Sequence, residues 1–129
     1  MKKIDRILLV DDDTITNYVN KSLLEDLEVS NSIDISYNGQ DALNYLEAQN
    51  KVGNVPDLLL LDIYMPNMNA FEFLDAYKSS SSLTKKTSVV ILTSSTVEQD
   101  HEMAKSYNVA GYLLKPLTRE KLEQILHMI

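Results

Sequence analysis

The sequence contains no cysteine, which excludes disulfides and thiolate zinc sites and leaves the redox compartment otherwise open. It has no apolar run approaching the ~20 residues of a membrane span. Basic residues are in the minority, 12 Lys and Arg against 19 Asp and Glu, for a formal net charge of −7. A chain this acidic is a poor nucleic-acid binder by itself, because neutralising phosphates supplies most non-specific affinity. Solubility is one reason for such a balance; a concentration of acids in a cation site is another. There is no repeat, no linker and no low-complexity tract beyond Ser79 to Ser82. The basic start, Met1-Lys2-Lys3-Ile4-Asp5-Arg6, is followed by too short an apolar stretch for a signal peptide. A cytoplasmic location is the default expectation.

What is present fits one domain over residues 1–129. Two kinds of segment alternate. Arg6 to Asp11 (RILLVD), Asp57 to Asp62 (DLLLLD) and Ser88 to Thr93 (SVVILT) are short continuous apolar runs. Pro56 and Pro66 bracket the second too tightly for a helix of ordinary length. Continuous apolarity fits strands covered on both faces, as in a parallel sheet. Ile33, Ile35 and Tyr37 alternate with polar residues and predict a half-exposed edge strand. Tyr112 to Lys115 (YLLK) is a fifth, short strand.

Helical patterns lie between. Ile15, Tyr18, Val19, Leu23 and Leu27 share one helical face. So do Ala42, Leu43 and Leu46, then Phe71, Leu74 and Tyr77, and finally Leu122, Ile125, Leu126 and Ile129. Val97 to Tyr107 is weaker, mostly polar with Met103, Ala104 and Tyr107. Thr14, Asn69 with Glu72 three residues on, and Thr118 mark helix starts; Asn38-Gly39 marks a turn. Five βα units with right-handed crossovers predict an open, doubly wound parallel sheet. Ligands in such sheets sit beyond the carboxyl ends of the strands.

At those ends stand Asp11-Asp12-Asp13, Asp62, Thr93-Ser94 and Lys115-Pro116. Two carboxylates ~4 Å apart repel by about 4 kcal/mol at an effective dielectric of ~20. Three in one pocket raise a pKa or demand a cation, and Lys115 brings only one positive charge. Mg²⁺ fits, since it accepts one or two carboxylates, keeps waters and leaves room for a phosphoryl oxygen. Asp62 could then act as a nucleophile, with Lys115 and Thr93 stabilising the phosphoryl oxygens. Each residue also has an ordinary explanation: Asp13 as a helix cap, Asp62 as a structural acid, Thr93 as a strand end, Lys115 as a solvated turn lysine. Their joint placement at strand ends favours the functional reading.

These segments resemble the response-regulator receiver domains of two-component and phosphorelay systems. ILLVDDD resembles that family's first strand and acidic pair, and YNGQDAL its turn into the second helix. LLLLDIYMPNM resembles the phosphorylation segment, ILTSS the strand with the switch hydroxyl, and GYLLKPL the lysine-proline segment. The resemblance implies a flavodoxin-like α/β fold, with five strands in the order 2-1-3-4-5 and five helices. It implies Asp62 as phospho-acceptor, and Mg²⁺ held by Asp12, by Asp11 chiefly through water, by Asp62 and by the Tyr64 backbone carbonyl. Thr93 is then the switch hydroxyl, Tyr112 the aromatic that follows it, and Lys115 the partner of a phosphoryl oxygen, joined to Pro116 by a cis bond. Tyr64 and Ser95 occupy positions that influence acyl-phosphate hydrolysis, and a bulky Tyr64 is expected to lengthen the phosphorylated lifetime. A half-buried core tyrosine is the alternative for Tyr112.

The implied partners are a histidine kinase or histidine phosphotransfer protein and a downstream protein target, with no direct nucleic acid and no membrane. A monomer or weak dimer is expected, and a phospho-acceptor that assists its own phosphorylation and dephosphorylation rather than an enzyme. With the last helix reaching Ile129, a stand-alone receiver and the receiver of a longer regulator both fit. The chain departs from the family pattern at Asn69-Ala70, where Asp-Gly is usual, and at Thr87-Ser88, where a proline is usual. Ala70 does not freely adopt positive φ, so a local difference in that loop is expected. Two competing readings are a small haloacid-dehalogenase-like phosphohydrolase, with Asp11 as nucleophile and Asp13 as acid/base, and a phosphorylation-independent interaction module.

Overall fold

A computed structural model describes residues 1–83 and 86–129. Five strands alternate with five helices: β1 (Ile4–Val10), α1 (Thr14–Asp26), β2 (Ser30–Ser36), α2 (Gly39–Lys51), β3 (Leu58–Leu61), α3 (Ala70–Ser79), β4 (Ser88–Thr93), α4 (Glu98–Ser106), β5 (Gly111–Leu114) and α5 (Arg119–Met128). The strands form one parallel sheet in the order β2-β1-β3-β4-β5, which is the flavodoxin-like arrangement. The order reverses between β1 and β3, so the crevice beyond these two strands is the topological switch point.

The continuous apolar runs arise because both sheet faces are covered. In β3, Leu58 and Leu60 join the core under α1 and α5, while Leu59 and Leu61 join the core under α2 and α3. Alternate residues of a strand face opposite sides, and each fully buried leucine contributes about 1.5–3 kcal/mol. β2 is an edge strand and only half buried, as its alternation predicts; Tyr37 lies just past its end and is exposed.

Helix starts follow side-chain chemistry. Asp13 caps α1, one residue before the predicted Thr14, and Asn38 and Thr118 cap α2 and α5. Asn69 and Glu72 form a reciprocal capping box at α3. Ala70 is the first residue of that helix, and the positive φ of the preceding loop falls on Asn67 (69°) instead. Asparagine tolerates that region. At the other departure, the Thr87 hydroxyl donates to the Pro56 carbonyl (2.7 Å), and the Ser88 N–H donates to Asp57 O (2.9 Å).

The apolar face expected for α1 does not match the buried one. Ile15, Tyr18 and Val19 are 74%, 72% and 55% exposed, whereas Asn17, Asn20 and Leu24 are buried. Leu23 and Leu27 do pack against the core. The cause is local hydrogen bonding. Asp13 fixes the first turn, and the Asn17 side chain donates 2.8 Å to the Asp11 carbonyl, which rolls the two asparagines under the strand end. The apolar faces expected of α2 and α5 are buried apart from the half-buried Ile129, and α3 additionally buries Phe73.

Candidate phosphorylation site

The site is assembled by strand register. Val10 pairs with Leu61, Leu61 with Ile91 and Thr93 with Leu114, so the next residues of β1, β3 and β5 emerge on one rim. Backbone bonds extend the ladder by one step: Asp62 N–H to Val10 O (3.0 Å) and Lys115 N–H to Thr93 O (2.8 Å). Asp11, Asp62 and Lys115 therefore leave the sheet side by side, with Thr93 fully buried at the end of β4.

The Lys115 ammonium lies 2.6 Å from Asp11 Oδ2 and 3.3 Å from Asp62 Oδ2. Asp11 and Asp62 are buried and Asp12 is exposed, yet each offers a carboxylate oxygen within 4.8 Å of the others. Asp11 Oδ1 accepts the Asp13 N–H (2.9 Å), and Asp62 Oδ1 accepts the Ile63 N–H (2.8 Å). Burial pushes the Asp62 carboxyl above its ordinary value. Lys115 opposes that shift, the Asp11 charge adds to it, and hydrogen bonds from Thr93 and the Ile63 N–H oppose it. Burial works against the Lys115 charge, but its bond to Asp11 and the charges of Asp62 and Asp11 prevail, and its pKa is raised. Three acids against one ammonium leave net negative charge in an all-oxygen donor set, which fits a hard divalent cation such as Mg²⁺.

The Lys115–Pro116 bond is cis. Tyr112 is half buried and donates weakly to Ser95 O (3.4 Å). Asp13, the acid/base of the phosphohydrolase reading, is committed to capping: Oδ1 accepts from Ile15 N–H and Oδ2 from the Thr16 hydroxyl. These bonds, the Thr16 hydroxyl first, hold the Asp13 pKa down. Two groups escaped the sequence reading. Asn17 and Asn20 lie beneath the pocket, and Asp100 of α4 accepts hydrogen bonds from both Tyr64 and Ser95. Tyr64 and Asp100 are 36 residues apart, and nothing in the local pattern links them.

Fold and pocket together define a doubly wound α/β domain with an acidic, lysine-bearing site at its switch point. The profile of the response regulator receiver domain matches residues 7–127, and the chain belongs to that family. It is 34% identical over 124 residues to the probable methanogenesis regulatory protein FilR2 of Methanothrix harundinacea, covering 95% of this chain and 79% of that protein. It is also 34% identical to the transcriptional regulatory protein CpxR of Escherichia coli, covering 92% of this chain but only 46% of CpxR. The crystal structure of a two-component response regulator from Cytophaga hutchinsonii superposes with a TM-score of 0.89 at 31% identity, covering 98% and 96% of the two chains. Among the described residues no helix is long and apolar enough to cross a membrane.

Proposed function

We propose that this chain is a Mg²⁺-dependent phospho-acceptor, in which Asp62 takes a phosphoryl group from a histidine kinase or histidine phosphotransfer protein. The observation that carries the reading is the meeting of Asp62, Asp11 and Asp12 within 4.8 Å, with Lys115 between two of them. Asp11, Asp12 and Asp62 would hold the ion, joined by the Tyr64 backbone carbonyl as the family resemblance implies. When bound, Mg²⁺ neutralises charge on the phosphoryl oxygens.

The chain's own groups position and stabilise. An Asp62 oxygen attacks phosphorus in line, and the P–N bond to the donor imidazole breaks as the new P–O bond forms. The imidazole leaves with the electron pair of that bond. Lys115, already 3.3 Å from Asp62 Oδ2, is placed to pair with a phosphoryl oxygen. Thr93 donates its hydroxyl to the same group. Strand ends hold Asp62 and Lys115 side by side before the donor arrives. The same set accepts phosphate from small acyl phosphates.

Phosphorylation then biases an element made of Thr93, α4 and Tyr112. Moving it from 1:99 to 99:1 takes about 5.5 kcal/mol of differential interaction. The readout is a protein target, with no direct nucleic-acid contact, and the chain acts in the cytoplasm as a monomer or weak dimer. It assists its own phosphorylation and dephosphorylation rather than turning over a substrate. The test is Asp62→Asn with an acyl phosphate and Mg²⁺: the wild type is labelled and the variant is not. Labelling of the variant contradicts the assignment.

A further inference from the structure

The carboxylate of Asp100, in the first turn of α4, is shared by two hydroxyls from different parts of the chain. The Tyr64 phenol, two residues past the acceptor, donates to Oδ2. The Ser95 hydroxyl donates to the same oxygen at 2.6 Å. Ser95 is buried and is itself a junction. Its Oγ accepts the Val97 N–H (3.2 Å) where α4 begins without a side-chain cap, and its N–H donates to Thr93 Oγ1 (3.3 Å). Its carbonyl accepts from Tyr112, on whose ring His101 stacks at 4.7 Å. One unbroken chain of contacts thus runs from Thr93 through Ser95 and Asp100 to Tyr64, closing a loop that begins and ends beside Asp62.

Bonds from hydroxyls to a carboxylate are short and about twice as strong as neutral ones. Both donors converge on one oxygen of Asp100 in the first turn of α4. The arrangement has a consequence for the phosphorylated state. A phosphoryl group on Asp62 attracts the Thr93 hydroxyl. That oxygen already holds the Ser95 N–H, and Ser95 is tied to Asp100. Drawing Thr93 towards the phosphoryl group therefore pulls Ser95 against the Asp100 contact, while the Tyr64 bond holds Asp100 to the segment after the acceptor.

We propose that Asp100 is a positioning residue: with Tyr64 and Ser95 it forms a latch that favours the unphosphorylated arrangement of the β4–α4 turn and sets how tightly the site takes a phosphoryl group. The inference rests on the phospho-acceptor reading of Asp62. A latch that opens on binding lowers apparent affinity by the fraction of molecules already open. Removing it tightens binding, whereas losing a merely stabilising contact leaves affinity unchanged or weakens it.

The experiment measures binding of beryllofluoride, a phosphoryl mimic, to the full chain in saturating Mg²⁺. Asp100→Ala and Tyr64→Phe are each expected to tighten it about fivefold, the effect of one charge-assisted hydrogen bond at a half-exposed position. The double variant gains little over Asp100→Ala, which already removes the contact that Tyr64→Phe breaks. Asp100→Asn, which keeps an acceptor oxygen without the charge, falls between. Tyr64→Phe removes one surface hydroxyl and answers the question even if Asp100→Ala does not fold. Affinities within twofold of wild type, weaker binding, or gains that multiply in the double variant overturn the latch. A wild-type chain that binds no beryllofluoride overturns the phospho-acceptor reading itself, and the latch with it.

Discussion

Lys115 and Asp11 form the closest ion pair of the pocket: the ammonium stands 2.6 Å from Asp11 Oδ2, nearer than its 3.3 Å to Asp62. The lysine thus engages carboxylate oxygens that a divalent ion would use. Lysine and cation therefore compete for the same oxygens.

Removing the lysine should separate the two roles. Lys115→Ala is expected to bind Mg²⁺ about tenfold more tightly, a modest share of the ~4 kcal/mol that one charge exerts at ~4 Å in an effective dielectric of ~20. The same variant should be phosphorylated more slowly, having lost the partner of a phosphoryl oxygen. Titration of Mg²⁺ by tyrosine fluorescence or calorimetry checks the first effect, and labelling rates the second. Weaker Mg²⁺ binding would show that Lys115 orders the acids instead of competing for them.

Burial and the Asp11 charge hold the Asp62 proton more tightly in the folded chain than in the unfolded one. The folded state then binds more protons, so in a chelator stability falls as pH rises from the ordinary carboxylate value through the raised one. The cost grows across that window as the carboxylate forms. Asp62→Asn should melt about 2–5 °C above wild type at pH 7 without metal, the shift that ~1 kcal/mol gives in a domain of this size. The difference should vanish below pH ~4, and added Mg²⁺ should raise the melting temperature of the wild type. A variant no more stable than wild type at neutral pH would place the strain elsewhere.

Asn17 supports the pocket from below. Its side chain donates 2.8 Å to the buried Asp11 carbonyl, and truncation leaves that carbonyl unpaired. Asn17→Ala should cost about 1–3 kcal/mol by chemical denaturation and weaken Mg²⁺ binding as Asp11 loosens. An unchanged midpoint would mean that the carbonyl finds another partner.

The sequence made much of this legible, for physical reasons. Strands buried on both faces declare themselves as continuous apolar runs, and β3 is four leucines in a row. Residues at or just past the ends of parallel strands share a rim, so the sequence alone groups Asp11, Asp62, Thr93 and Lys115. The failures have equally definite causes. Ile15, Tyr18 and Val19 have helical spacing, yet capping by Asp13 and the Asn17 bond turn them to solvent. Periodicity reports an apolar stripe and not its direction. Asp100 was invisible because its partners lie across the loops, where neither spacing nor propensity carries information.

The central claim is that Asp62 is the acceptor, and site mapping tests it most directly. The wild-type chain is incubated with an acyl phosphate and Mg²⁺, and the phosphorylated peptide is located by mass spectrometry. The account predicts a single phosphoryl group on Asp62, lost when Mg²⁺ is chelated beforehand. A phosphoryl group on Asp11, or one that appears equally without Mg²⁺, would contradict it.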